Sequence, residues 1–214
     1  MSELTSQMAK WSGEFGRDYT DRNALSLAEM EALYMSKYGV NRTSMNTRFI
    51  GALDRSMRIL EVGSNVGNQL LCLQRMGFTS LFGVELQGYA VEISKHRTQH
   101  INIVEGAVFD IAFKDEFFDL VFTSGVLIHI APSDITKALQ EIHRCSRRLI
   151  WGFEYFSEGY AEVVYRGNAG LLWKTNFPQL YLDTFGDLRL VKEERFKYKD
   201  DANVDTMFLL EKVE

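Results

Sequence analysis

The sequence predicts an α/β fold: a mostly parallel seven-stranded sheet with helices on both faces, a C-terminal antiparallel hairpin and a helical N-terminal cap. Three observations carry this prediction. From residue 57 to residue 155 short apolar runs alternate with helix-period segments, the pattern of parallel strands joined by right-handed crossover helices. A glycine turn, Gly63-Ser-Asn-Val-Gly67, follows the first of those runs. The chain closes on two strand-like segments, LRLVKEERFKY and DTMFLLEKV.

Residues 1–50 read as two or three helices that cover the rest. They are polar, contain neither proline, and carry aromatic anchors at Trp11, Phe15, Tyr19, Tyr34 and Tyr38. MRILEV is the first strand, and VGNQLLCLQRMGF is a helix stopped by Gly77. LFGVEL, GYAVEISKHR and INIVEG follow as strand, helix and strand. FFDLVFTSG is the fourth strand, apolar almost throughout and so buried on both faces. Pro132-Ser-Asp134 opens the helix DITKALQEIHRC, and RRLIWGFEYF is the fifth strand. A loop-rich stretch runs to about residue 175, with a short helix from Pro178 to Phe185. The 214 residues suit one domain: a cap or lid over 1–50, a core over 57–155, a substrate-facing segment over 156–185, and terminal strands over 186–214.

Composition narrows the function classes. A hydrophobic share of 46% and a charged share of 25% are ordinary for a globular chain. Neither a secretory leader nor a membrane-length apolar run is evident, so a cytoplasmic protein is expected. A net charge of −5 disfavours nucleic acid as a partner, because phosphates demand clustered cations. The one basic cluster, Arg144, Arg147 and Arg148, falls at a helix end, where cations complement the helix dipole. Cys72 and Cys145 lack metal-ligand spacing and read as buried free thiols in preference to a disulfide.

The glycine turn defines the ligand question. An open parallel sheet binds ligands at the carboxyl ends of its strands, where strand order reverses, and the first strand ends at Glu61-Val62-Gly63. Gly63 and Gly67 would let the backbone approach a ligand. Glu85, ending the second strand, could accept both hydroxyls of a ribose. These features suit a dinucleotide or S-adenosylmethionine (SAM), with a structural turn as the remaining alternative. A pyrophosphate favours the closer spacing GxGxxG. Here Asn65 sits inside the turn and Glu61 precedes it by two residues, which suits the ammonium and sulfonium of SAM better.

The run Glu61-Val-Gly-Ser-Asn-Val-Gly67, together with Glu85 and Phe118-Asp-Leu-Val121, resembles the class I SAM-dependent methyltransferases, whose fold is Rossmann-like. Three further segments, WSGEFGRDYTDRN (11–23), SGVLIHI (124–130) and Tyr165-Arg-Gly167, resemble the pseudaminic acid biosynthesis-associated methylases, a bacterial group found with surface-sugar genes. The resemblance implies that Gly63, Asn65 and Gly67 line the methionine part of the cofactor and that Glu85 holds the ribose, with Glu61, Leu86 and Ser124 completing the set. The acid that often binds adenine after the third strand is missing. Backbone groups at Ala107 and Val108, or Asp110 one step on, would serve instead.

His129 follows the fourth strand at the ligand edge and is the expected general base; packing against the cofactor is the alternative. His96, His100 and His143 fall on helices and read as structural. Asp119 sits at the wrong end of its strand for a metal site, so no metal is expected. The N-terminal segment would form a lid in which Tyr19, Arg22 and Asn23 touch the cofactor, Arg22 pairing its carboxylate. Arg48 is a weaker candidate for that carboxylate. Trp11, Glu154, Tyr155, Tyr165, Arg166 and Lys174 are the expected acceptor contacts, a mixture of rings and cations suited to an anionic sugar. The resemblance thus implies methyl transfer to an oxygen, or less readily a nitrogen, of a sugar-derived or phosphate-linked acceptor, by a monomer or homodimer. A nicotinamide-dependent reductase and a non-catalytic SAM-binding protein are the alternatives.

Overall fold

The computed structural model describes residues 5–213; residues 1–4, the start of the expected cap, and Glu214 lie outside the described residues. Among the described residues four helices precede the sheet, one more than the most the sequence suggested: α1 (Ser6–Ser12), α2 (Glu14–Asn23), α3 (Leu27–Tyr38) and α4 (Arg42–Ile50). Local chemistry makes the breaks. Gly13 takes an extended conformation between α1 and α2. Ser26 and Glu29 form a reciprocal capping box at the start of α3. Gly39 closes α3 in the left-handed conformation and Asn41 caps α4.

The core then alternates as the apolar pattern requires. It runs β1 (Arg58–Val62), α5 (Asn68–Arg75), β2 (Ser80–Glu85), α6 (Gly88–Arg97), β3 (Ile101–Glu105), β4 (Phe118–Ser124), α7 (Ile135–Cys145) and β5 (Ser146–Tyr155). A small ribbon of β6 (Ala161–Glu162) and β7 (Trp173–Lys174) and then α8 (Phe177–Thr184) lead to β8 (Leu188–Lys197) and β9 (Val204–Lys212). The seven-stranded sheet has the order β3-β2-β1-β4-β5-β9-β8. Its first five strands are parallel, while β9 is antiparallel to both β5 and β8. Order reverses between β1 and β4, which opens a crevice at their carboxyl ends.

The central strands of the sheet are buried on both faces, while the edge strands β3 and β8 are partly exposed. Leu60, Val121, Ile150 and Phe208 pack under α7 and α8, and Ile59, Leu120, Trp151 and Leu209 pack under α4 and α5. Strands buried on two sides read as continuous apolar runs, which is why FFDLVFTSG carries so little alternation. Gly152 belongs to this packing: a Cβ there would stand 2.2 Å from the ring of Phe208. Cys72 and Cys145 are free and buried. The basic cluster is taken up by ion pairs, with Arg144 on Glu141 and Asp115, Arg147 on Asp119, and Arg148 on Glu211. Among the described residues no helix is long and apolar enough to cross a membrane.

Candidate functional site

A cavity of about 410 Å³ lies at the carboxyl ends of β1, β2, β4 and β5, roofed by the N-terminal helices. The volume falls within the usual range for a small-molecule site. Its floor is the glycine turn. Gly63, Asn65 and Gly67 all have positive φ, at 73°, 48° and 83°, conformations open to glycine and tolerated by asparagine. Asparagine therefore serves the turn's backbone and leaves its amide at the cavity. The two glycines differ in purpose. Gly63 lines the cavity, and a Cβ on it would meet Val126 at 2.5 Å. Gly67 does not line it; a Cβ there would meet Ile103 at 2.9 Å. Contrary to the sequence expectation, Gly67 serves helix–strand packing and the start of α5.

Glu85 organises the same floor. Its two oxygens accept the N–H groups of Asn65 and Gln87, each at 2.7 Å. Carboxylate oxygens have two lone pairs each, so capacity for ribose hydroxyls remains. Gln87 in turn donates to the carbonyls of Trp11 (3.1 Å) and Gly13 (3.0 Å), fastening the α1–α2 junction over the site. Gly16 permits the close crossing, since a Cβ there would overlap the Trp11 carbonyl oxygen at 1.7 Å. Leu86, Ala107, Val108 and Phe109 continue the wall, whereas Asp110 stands outside it. Of the two adenine-holding options, only the Ala107–Val108 backbone is at the cavity.

Among the described residues, six buried side-chain atoms lining the cavity lack a hydrogen-bond partner: Trp11 Nε1, Thr20 Oγ1, Glu61 Oε2, Ser64 Oγ, Asn65 Oδ1 and Gln69 Oε1. Buried polar groups are normally paired, so a cluster of unpartnered groups lining one cavity suits ordered water or a polar ligand. Asn65 Oδ1 and Gln69 Oε1 only accept, and Glu61 Oε2 does so once the carboxyl is ionised, which calls for a donor-rich group. Burial pushes the Glu61 carboxyl well above its ordinary range, against the opposing charge of Arg42.

The cap reaches the cavity through two helical stripes. Gly16, Tyr19, Thr20 and Asn23 line it from α2, and Met30, Leu33, Tyr34, Lys37 and Tyr38 from α3. Both sets follow i, i+3, i+4, i+7 spacing. Arg22 lies off the α2 stripe and is exposed; the sequence expectation that it meets the cofactor carboxylate is not realised. Arg48 is also remote, paired with Glu194.

His129 ends a 3-10 turn, Leu127–His129, after β4. Its Nδ1 lies 2.7 Å from the carbonyl oxygen of Leu171. A carbonyl only accepts, so Nδ1 carries the proton and Nε2 the lone pair. Burial holds the ring's pKa down at about 4, and it stays neutral at physiological pH. Trp11 packs 4.5 Å from it and Tyr165 5.3 Å, closing an aromatic wall with Tyr155 and Arg166 nearby on the lining.

Two expected acceptor contacts fall elsewhere. Glu154 is buried behind the turn, where Oε1 accepts the Val126 N–H at 3.2 Å and the carboxyl faces the N–H groups of Leu127 and Ile128. Burial raises its pKa to about 7. It holds the segment that carries His129 and does not line the cavity. Lys174 bonds Asn203 and stacks over Tyr155, 5.4 Å from the ring centroid. Asp119, at the start of β4, accepts the Arg58 N–H and pairs with Arg147, far from this edge.

Sequence reasoning overlooked Thr20, Gln69, Asp205 and, most consequentially, Arg42. Arg42 is 0% exposed. Its guanidinium donates to Asn46 (2.9 Å), Tyr34 (3.1 Å) and Ser124 (3.3 Å) and stacks on Phe153 at 4.5 Å. Among the described residues it has no carboxylate within ion-pair distance. It ties α3, α4 and the end of β4 together beneath the cavity.

Known proteins share this architecture. Residues 60–148 match the family described as Methyltransferase domain. No curated protein matches the chain. Among solved structures, 1,6-didemethyltoxoflavin-N1-methyltransferase of Burkholderia thailandensis, with bound 1,6-didemethyltoxoflavin and S-adenosylhomocysteine, is similar at TM-score 0.73 and 15% identity, over 100% of this chain and 92% of that one. The 4+2 cyclase SpnF is similar at TM-score 0.64 and 13% identity, over 80% of this chain and 79% of that one. A SAM-dependent methyltransferase of Methanosarcina mazei has TM-score 0.62 and 13% identity, over 76% of this chain and 95% of that one. At such identities the likeness concerns the fold, which is Rossmann-like and of the class I methyltransferase type.

Proposed function

We propose that the cavity binds SAM and that the protein transfers its methyl group to an oxygen, in preference to a nitrogen, of a small acceptor. The observation that carries this reading is the orphan cluster on the glycine-turn wall. Glu61 Oε2, Asn65 Oδ1 and Gln69 Oε1 are three buried, unpartnered acceptors, a match in number for the three N–H donors of an amino acid's ammonium group. A pyrophosphate would instead face the carboxyls of Glu61 and Glu85, and neither Arg42 nor Arg97, the cations nearest the turn, lines the cavity, which weighs against a nicotinamide cofactor. When bound, the sulfonium supplies an electrophilic methyl group.

The chain's own residues then position and enclose. Glu85 holds the turn and retains lone pairs for ribose hydroxyls. Trp11, Tyr19 and Tyr165 exclude water, which strengthens every polar interaction inside. His129, neutral with Nε2 unprotonated, is a weak proton acceptor, so burial turns its expected role as base into one of hydrogen-bond acceptor and wall. The acceptor's identity as a sugar-derived or nucleotide-linked precursor of bacterial surface glycans rests on the resemblance of WSGEFGRDYTDRN, SGVLIHI and YRG. The aromatic wall and Arg166 support it, since rings stack on sugars and guanidinium grips phosphate or carboxylate.

The same fold also serves a cyclase, so methyl transfer itself must be measured. Incubation with tritiated SAM and a protein-free bacterial extract supplemented with UDP-, GDP- and CMP-linked sugars should yield a labelled small molecule; SAM binding without label would leave a non-catalytic binder. Arg166 lines the cavity and is exposed. Arg166→Ala should raise the acceptor KM about tenfold, the lower end for a lost charged hydrogen bond, with S-adenosylhomocysteine affinity unchanged. Equal loss of both would remove Arg166 from the acceptor side.

A further inference from the structure

The half of the cavity away from the glycine turn is built around a carboxylate. Asp205, on β9, is 1% exposed and lines the cavity beside Tyr155, its pairing partner on β5. Tyr38, on α3, donates to Oδ2, and the Tyr198 hydroxyl lies 3.0 Å from Oδ2 and 3.2 Å from Oδ1. Two lysines complete the surroundings. The Lys37 ammonium rests 4.0 Å from the Tyr198 ring centroid, and Lys174 stands over Tyr155 from β7. Tyr34 and Tyr155 are the other titratable groups nearby, and Asp201 faces the two lysines. A structural carboxylate needs no cavity, and this one lines the cavity from β9, three strands along the sheet from the glycine turn that follows β1.

We propose that Asp205, held between Tyr38 and Tyr198, is the residue that orients the acceptor's nucleophilic O–H and takes its proton. This rests on the methyltransferase reading above. The acceptor oxygen forms a bond to the methyl carbon as the carbon–sulfur bond breaks, with that electron pair remaining on sulfur. The acceptor's proton passes to the Asp205 carboxylate and later to water. The tyrosines occupy at most three of about four lone-pair sites on a carboxylate, which leaves one for the acceptor. Burial raises the Asp205 pKa to about 6, with the Tyr38 hydroxyl, Lys37 and the Tyr198 hydroxyl opposing it. A base is most effective with a pKa near the working pH, and on that ground Asp205 is better matched than His129.

The test uses the full-length protein, S-adenosylhomocysteine for binding, and tritiated SAM with the supplemented extract for transfer. Asp205→Asn should slow transfer by about 10²–10⁴-fold, keep S-adenosylhomocysteine affinity within threefold, and abolish the acidic limb of the kcat/KM profile near pH 6. Tyr198→Phe should preserve that limb and move it to higher pH, because a hydrogen bond that lowers the Asp205 pKa is gone. Asp205→Asn turning over within threefold of the parent, or an unmoved limb in Tyr198→Phe, would overturn the proposal. So would loss of S-adenosylhomocysteine binding in Asp205→Asn, which would make the residue architectural. A parent protein that binds S-adenosylhomocysteine yet labels nothing would instead remove the transferase reading.

Discussion

Glu61→Ala is expected to lower S-adenosylhomocysteine affinity by about 10- to 100-fold, the range for a lost hydrogen bond to a charged group. S-adenosylhomocysteine retains the amino-acid end, so the measurement isolates the ammonium seat from the sulfonium. The site is costly to maintain: the carboxyl is 3% exposed, with one oxygen unpaired. The neutral isostere Glu61→Gln should therefore bind more weakly while the ligand-free protein melts no lower than its parent, a stability–function exchange. The sign with pH follows from the raised pKa. A carboxyl whose folded pKa lies above its unfolded value contributes stability that is lost as pH rises through the folded pKa. Glu61→Gln removes that loss, so its relative stability should grow with pH. Ligand affinity should run the other way in the parent, rising with pH as Glu61 ionises, and this rise should be flat in Glu61→Gln. Calorimetric titrations across that range would check both slopes.

The second large effect is expected at Arg42. Arg42→Ala should destabilise the protein by about 3–5 kcal/mol, the range for truncating a large, fully buried side chain to alanine. At about 2–4 °C per kcal/mol for a chain of this size, the melting temperature should fall by roughly 6–20 °C. The loss has two parts. Asn46, Tyr34 and Ser124 lose their donor, and a cavity opens against Phe153 and Trp151. Arg42→Met fills the cavity and removes a desolvated charge, so it should cost markedly less in stability. Both variants should bind S-adenosylhomocysteine more weakly, because Ser124 and Glu61 lose the cation that faces them. A melting temperature unchanged in Arg42→Ala would show that the guanidinium's desolvation cancels its bonds.

Which parts of this molecule the sequence displays follows from the range of the interactions involved. The strands were legible because a sheet buried on both faces demands predominantly apolar runs, and MRILEV and FFDLVFTSG each carry only one or two charged residues. The glycine turn was legible because positive φ restricts residue type, although spacing alone could not separate Gly63, which faces the ligand cavity, from Gly67, which packs on Ile103. The α2 stripe was available in the sequence: Tyr19 and Asn23 are four apart, and the same spacing that includes Thr20 excludes Arg22. Glu154 looked like a ligand contact because it ends a strand at the ligand edge, yet its side chain turns to the backbone of the His129 turn. Arg42, Gln69 and Asp205 carry no local signature. Arg42 depends on Ser124, 82 residues away, and Asp205 on Tyr38, 167 residues away. Such pairings arise from the folded topology, as does the burial that lowers the basicity of His129.

On the proposal above, the cavity seats SAM with its amino-acid end on Glu61, Asn65 and Gln69. Titration of the purified protein with S-adenosylhomocysteine, beside a parallel titration with NADH, tests it most directly. The expected result is one S-adenosylhomocysteine bound per chain, weakened by Glu61→Ala, and no NADH uptake. Binding of NADH without S-adenosylhomocysteine would contradict the claim.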